Sequence, residues 1–140
     1  MKIYIGSDHA GYELKHYLMD NFKDAEFHDI GFIEFNKDDD YPKIAHDLSN
    51  RVLSEKGLGI LICGTGLGMC MGANRHKGIR AANCLTPEMA ELTRKHNNAN
   101  ILCLSARLIK KEDTLEILKT FLETEFEGSR HEKRVEMLDN

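Results

Sequence analysis

The residues best suited to chemistry fall in three loops and a terminal segment. In Cys63-Gly64-Thr65-Gly66-Leu67-Gly68, three glycines alternate directly after the apolar run Leu58–Cys63. That spacing lets the backbone turn tightly and aim several N–H groups inward. A helix expected from near Gly66 through Met69 and Met71 to Ala73 would set its N-terminus behind them, which attracts anions. No Gly-Lys-Ser/Thr follows, so this is not a Walker A loop, and Met69 stands where a dinucleotide fingerprint has its third glycine. Taken alone, the loop fits a tight turn that packs a helix on a sheet equally well. Cys63 shifts the balance toward chemistry. A thiol at a strand end beside a helix N-terminus is favoured as thiolate, and the neighbouring N–H groups would stabilise an oxyanion. Proton transfer through an enediolate needs both. Burial as a small hydrophobe, the commoner fate of a cysteine, is assigned to Cys84 and Cys103, which sit in apolar strand-like runs.

The other candidates are weaker singly. In Gly6-Ser7-Asp8-His9-Ala10-Gly11, the Asp8-His9 pair could meet a ligand, but Asp8 as a helix cap is the simpler account. His96-Asn97-Asn98-Ala99-Asn100 ends a helix, where a histidine is favourable and asparagines are ordinary terminators. In Ser129-Arg130-His131-Glu132-Lys133-Arg134, Ser129 and Glu132 fit a capping box. Arg130 and Arg134 share one helical face, an arrangement suited to a phosphate monoester and equally to a solvated tail. The run Lys37-Asp38-Asp39-Asp40 reads as a solvated loop. His16, His28, His46 and His76 show no metal-ligand spacing.

The elements that must position these residues alternate. Strands are expected at Ile3–Ile5, Glu26–Ile30, Leu58–Cys63, Gly78–Cys84 and Ile101–Leu104. Leu14, Tyr17 and Leu18 mark one helical face, and Ile44, Ala45, Leu48 and Val52 mark another, with Pro42 in its first turn. A polar loop ending at Asp40-Tyr41-Pro42 joins the second strand to that helix. Thr86-Pro87-Glu88 opens a helix reaching about His96. Asp113 and Glu116 frame the start of a helix through Leu115, Leu118, Leu122 and Phe126. This order implies an α/β fold: a single Rossmann-like domain over residues 1–140, with a five-stranded parallel sheet, helices on both faces and right-handed crossovers. Residues 129–140 form a C-terminal arm. Ligands of such sheets bind beyond the carboxyl ends of the strands, where two of the candidate loops lie.

Composition narrows the function classes. The 140 residues are 41% hydrophobic and 30% charged with a net charge of −4, an ordinary globular balance that does not point to nucleic acid. No apolar run has membrane-spanning length. Met1-Lys2-Ile3-Tyr4-Ile5-Gly6 reads straight into a strand without a signal-peptide pattern, so a cytoplasmic location is expected. Cys63, Cys70, Cys84 and Cys103 form no C-x-x-C pair, and free thiols are expected.

Taken in order, DHAG, a Tyr-Pro, CGTGLG, GIRAA, HNNAN and SRHEKR resemble type B ribose-5-phosphate isomerases from Ile3 to about Val135. That group belongs to a wider sugar-phosphate isomerase family that includes galactose-6-phosphate isomerase subunits. The resemblance implies an aldose–ketose isomerase of the non-oxidative pentose phosphate pathway with no metal or organic cofactor, at least a homodimer. It makes Cys63 the base between C1 and C2, with Thr65 and the N–H groups of Gly64, Gly66 and Gly68 lining the enediolate site. His96 helps open the furanose ring, Asp8 contacts the sugar near that step, and Asn97 holds the substrate. His9, Arg130 and Arg134 bind the phosphate, and Arg107 is similar to a further phosphate-binding position. The implied site crosses the dimer interface, with His96, Asn97 and Arg107 of one chain facing Cys63 of the other. Cys70 and Gly72 depart from the Ser and Ala more usual in the family, a change expected to alter packing rather than chemistry. Two alternatives stand beside this reading. One is an isomerase of a six-carbon sugar phosphate, allose or galactose 6-phosphate; the retained His96 and paired arginines favour ribose over galactose 6-phosphate. The other is a non-enzymatic phosphate- or nucleotide-binding module, which would have no need of Cys63, His96 and Asp8 together.

Overall fold

In the computed structural model, which describes residues 1–31 and 37–140, five strands pair into one parallel sheet of order β2-β1-β3-β5-β4. Along the chain the elements are β1 (Ile3–Ser7), α1 (Tyr12–Asn21), β2 (Phe27–Asp29), α2 (Tyr41–Glu55), β3 (Leu58–Cys63), α3 (Leu67–Ala73), β4 (Ala81–Asn83), α4 (Pro87–Asn97), β5 (Ile101–Ser105), α5 (Lys111–Glu123) and α6 (Arg130–Glu136). A 3-10 turn at His9–Gly11 leads into α1, and another at Met137–Asp139 follows α6. The α/β class, the parallel sheet and the two helical layers are as expected.

The middle strand explains the layering. Every residue of β3 is buried, and its side chains alternate between two cores. Leu58, Ile60 and Ile62 pack with Leu14 and Leu18 of α1, Ala90 of α4, and Ile117, Leu118 and Phe121 of α5. Leu61 and Cys63 face Ile44, Ala45 and Leu48 of α2 and Met69 and Ala73 of α3. Covering both faces demands an unbroken apolar strand. Ile62, with no exposed surface, contributes roughly 1.5–3 kcal/mol by its burial.

Several boundaries differ from the expectation. The strand expected at Gly78–Cys84 is only Ala81–Asn83, because Gly78 holds a positive φ of 89° and Arg80 N–H donates to the Asn100 side chain at 2.8 Å instead of to a ladder. Helix α5 begins at Lys111, with Glu112 and Asp113 inside its first turn, and ends at Glu123. Acidic residues there favour the positive end of the helix dipole without capping it, and Phe126 lies beyond the helix. The capping box at Ser129 does not form. Ser129 sits at φ 53° with no side-chain cap, and Glu132 N–H donates to its backbone carbonyl at 3.2 Å. The start of α4 is as expected: the Thr86 hydroxyl accepts from Met89 N–H at 3.2 Å, with Pro87 first in the helix. Part of the polar loop before Tyr41, residues 32–36, lies outside the described residues. Among the described residues, no helix is long and apolar enough to cross a membrane.

Candidate active site

Strand β1 lies between β2 and β3 in the sheet. The connections leaving β1 and β3 therefore diverge, with α1 packing on one face and α3 on the other. Such divergence opens a crevice at the carboxyl ends of the two strands. The loops Gly6–Gly11 and Cys63–Gly68 flank it.

Cys63 ends β3 and is 5% exposed. Gly66 N–H points at its Sγ, 3.1 Å away, so a backbone donor already faces the sulfur. Gly66 holds φ 80°, and a Cβ there would sit 2.3 Å from Asn83 Oδ1 at the end of β4, so glycine is required twice over. Asn83 Nδ2 donates to the Thr65 carbonyl at 3.3 Å, and the Thr65 hydroxyl accepts from Leu67 N–H at 3.3 Å. Strand β5 stitches the other side. Ala106 N–H donates to the Cys63 carbonyl at 3.0 Å, and Arg107 N–H to the Gly64 carbonyl at 2.9 Å. The fully buried Ser105 hydroxyl adds a second bond to that carbonyl at 2.8 Å. The Arg107 guanidinium lies over Gly64. Across the loop, the Tyr41 ring lies on Gly68, where a Cβ would come within 2.6 Å of it.

The Asp8 carboxylate accepts from Gly11 N–H at 3.1 Å, capping the 3-10 turn. Burial raises its pKa above the ordinary carboxyl value, and the nearby Asp39 charge adds to this against the Gly11 bond. The His9 ring, a neighbour on the same turn, bonds through Nδ1 to Asp39 Oδ1 at 2.8 Å. Asp39 is thus no solvated loop residue: its side chain is 2% exposed.

His96 and Asn97 lie elsewhere. They end α4, which runs back from the carboxyl end of β4 to the amino end of β5. Gly59 N–H, at the start of β3, donates to the Asn100 carbonyl at 2.9 Å, which marks the amino edge of the sheet. From Gly59 to Cys63 the strand rises about 13 Å, so within one chain the two groups occupy opposite ends of the sheet. The His96 ring stacks on His131 at 4.3 Å between centroids and 16° between planes. His131 is 6% exposed, and burial followed by the His96, Arg130 and Arg134 charges holds its imidazole below the usual histidine value. Arg94 donates to the Thr124 carbonyl at 3.0 Å, and Glu127 N–H to the Lys95 carbonyl at 3.1 Å. These bonds fasten the tail to α4 and carry α6, with exposed Arg130 and Arg134, to the His96 end.

The chain thus gathers Asp8, His9, Cys63, Thr65, Gly64, Gly66, Gly68 and Arg107 at one end, and His96, Asn97, Arg130 and Arg134 around α4 and α6. Arg107 departs from the expectation that grouped it with His96, because its backbone is bound to the Cys63 loop of its own chain. Asp39, Asn83, Ser105 and His131 were not singled out from sequence; a buried aspartate in an acidic run and a hydroxyl in an apolar strand carry no distinguishing pattern. Two triads have ligand atoms within 4.8 Å of one another: His96, Glu127 and His131, and Asp8, His9 and Asp39. In the first the two imidazole rings are stacked, with 16° between their planes, and in the second Asp39 is bonded to His9.

An apolar stripe joins the two ends. Leu85, Met89 and Leu92 are 44%, 42% and 42% exposed and continue to His96 at helical spacing. On α3, next to the Cys63 loop, Leu67 and Met71 are 52% and 63% exposed.

The family model for ribose/galactose isomerases matches residues 3–138. Ribose-5-phosphate isomerase B of Mycobacterium leprae is 34% identical over 99% of this chain and 88% of its own. The crystal structure of a ribose 5-phosphate isomerase from Thermotoga maritima superposes with a TM-score of 0.94 at 49% identity, covering 99% of this chain and 97% of that one. The Mycoplasma genitalium ribose-5-phosphate isomerase B structure, with ribulose-5-phosphate bound, gives 0.93 at 40% identity, covering 98% and 93%.

Proposed function

Because this chain belongs to the ribose/galactose isomerase family, we propose that it interconverts ribose 5-phosphate and ribulose 5-phosphate with Cys63 as the base. The observation that carries the mechanism is the Gly66 N–H aimed at Cys63 Sγ from 3.1 Å. In the aldose-to-ketose direction the Cys63 thiolate takes the proton from C2. The C2–H electrons form the C1–C2 double bond, and the C1 carbonyl electrons move onto O1. The proton of the O2 hydroxyl passes to O1, the electrons of the O2–H bond form the C2 carbonyl, and the C1–C2 double-bond pair takes the proton back from the Cys63 thiol at C1, which regenerates the thiolate. Thr65 and the backbone of Gly64, Gly66 and Gly68 line the place where the enediolate charge develops, a term that is large when donors are fixed in advance. Asp8 contacts the sugar, His96 opens the ring, Asn97 holds the substrate, and His9, Arg130 and Arg134 bind phosphate with Arg107 beside them.

A complete site on this reading needs two chains. His96 and Cys63 occupy opposite ends of one sheet, and the stripe Leu85–Met89–Leu92–His96 suits an isologous contact with Leu67 and Met71 of a second copy. That docking would set His96 of one chain over Cys63 of the other. The assembly as a homodimer or a dimer of dimers, the single-domain reading of residues 1–140 with its arm from Ser129, and the cytoplasmic location belong to this proposal. The relatives are isomerases by name, which leaves a non-enzymatic binding module without support.

The test is turnover of ribose 5-phosphate, allose 6-phosphate and galactose 6-phosphate, side by side, by wild type and by enzyme alkylated at Cys63. Ribose 5-phosphate is expected to give the highest kcat/KM, abolished by alkylation. A higher value for a six-carbon substrate would overturn the substrate assignment, and full turnover after confirmed alkylation would overturn the base.

A further inference from the structure

The buried carboxylate of Asp39 has no role in the mechanism above, yet it is placed at unusual cost. It lies in the segment 37–40, three of whose four residues are aspartates, but its side chain is 2% exposed. Burying a carboxylate is unfavourable unless its oxygens are engaged. The helix that follows does not engage them, since its N-cap, Asp40, makes no side-chain cap bond. Asp39 Oδ1 instead accepts from both the backbone N–H of His9, at 3.0 Å, and the ring Nδ1 of the same residue, at 2.8 Å. Both contacts fall on one oxygen and one residue. A two-point grip of this kind sets the backbone from which His9 projects and the rotation of its ring.

Two residues on, the Tyr41 ring rests on Gly68. The short segment therefore touches both loops that flank the crevice, the Asp8-His9 turn through Asp39 and the glycine loop through Tyr41. The His9 side chain is 34% exposed, and its Nδ1 side is held by Asp39.

We propose that Asp39 is a positioning residue for substrate phosphate, acting through the His9 imidazole that it orients. The inference rests on the phosphate role given to His9 above. A histidine whose Nδ1 is bound to a carboxylate presents its other nitrogen in a fixed direction, as metal-binding histidines held by a second carboxylate do. The group presented is then oriented before the ligand arrives, and little rotational freedom is lost on binding.

The experiment compares wild type, D39N, H9Q and the double variant for kcat, KM, competitive inhibition by inorganic phosphate, and melting temperature. Asparagine matches aspartate in size but lacks its charge. D39N is expected to raise KM and the phosphate inhibition constant together by about tenfold, as for loss of a charge-assisted hydrogen bond, with little change in kcat. In the H9Q background the D39N substitution should have no further effect on phosphate inhibition. D39E, which keeps the carboxylate, should recover part of the loss. If H9Q leaves phosphate inhibition unchanged, the phosphate role of His9 fails and the inference falls with it. If H9Q weakens inhibition but D39N does not, the role of His9 stands and Asp39 has none in it. A D39N chain that fails to fold, or one that loses phosphate affinity equally with and without His9, makes Asp39 a staple of the loop and overturns the proposal.

Discussion

Cys63 and His96 sit in surroundings that differ in nearly every physical respect. Cys63 is 5% exposed, at the end of a strand buried on both faces. Its loop is held by Gly66, Ala106, Arg107 and Ser105 through bonds that involve the backbone throughout. The His96 side chain is 39% exposed and rests on a stacked ring from a terminal helix. The first region is preorganised by the sheet, so a change of side-chain shape or backbone conformation there disturbs the fold. The second is displayed on helix surfaces, where a substitution alters function and leaves the core alone. A reacting centre tolerates little misplacement, which suits the first environment. Groups that must meet a second chain have to be exposed before they are buried, which suits the second.

The sharpest way to break this comparison is to inactivate each half separately. C63S should fold normally and lose roughly 10²–10⁴ in kcat, the contribution of a positioned general base. H96N should slow the furanose more than the transient open-chain aldehyde in rapid mixing. After subunit exchange between the two variants, one intact site per mixed dimer should return about a quarter of wild-type activity. No recovery after confirmed exchange would mean that each site is built within one chain.

A second, smaller effect concerns the exposed half alone. Arg134→Ala should lower kcat/KM for ribose 5-phosphate by roughly 1.5–3 kcal/mol, the worth of a hydrogen bond to a charged group. Turnover of free ribose, poor in both proteins, should barely respond. Equal harm to both substrates would make Arg134 a structural residue of α6.

Stability should separate the halves in the opposite sense. G66A forces an L side chain to φ 80° and against Asn83 Oδ1, and should cost about 1–3 kcal/mol in chemical denaturation. H96N, on the exposed half, should stay within about 0.5 kcal/mol of wild type. Comparable losses in the two variants would remove the distinction between a built-in and a displayed half.

The smallest effect is the pH dependence contributed by Asp8. Its carboxyl is held above the ordinary value of 3.8, chiefly by burial. As pH rises from that value to the folded one, the native state keeps a proton that the unfolded chain has released, so this group's contribution to stability falls with pH through that window. D8N, which can still accept from Gly11 N–H, removes the dependence. Its melting temperature relative to wild type should therefore climb across the window and level off above it. A flat difference would show that burial does not perturb Asp8.

Much of this arrangement is local and was legible in the order of residues. The unbroken run Leu58–Cys63 reads as a central strand, Thr86-Pro87 as a helix start, and alternate glycines after a strand end as a tight turn beside Cys63, and the structure has all three. These are consequences of φ/ψ preference and hydrophobic period, which act over a few residues. Local signals were less dependable where long-range contacts compete. Ser129 and Glu132 spelled a capping box, yet the tail is fastened to α4 by Arg94 and the Glu127 backbone, and Ser129 takes a positive φ instead. Asp39 carried the signature of solvent-exposed charge and is buried on His9. The strand order, with β1 between β2 and β3, decides that the Asp8-His9 turn and the Cys63 loop share one crevice. The direction of α4 then decides that His96 lies at the other end of the sheet, with α6 beside it and Arg107 apart from it. No pattern along the chain encodes those distances, because they arise from which strands pair and how helices cross between them, and that is settled only when the whole core is buried at once.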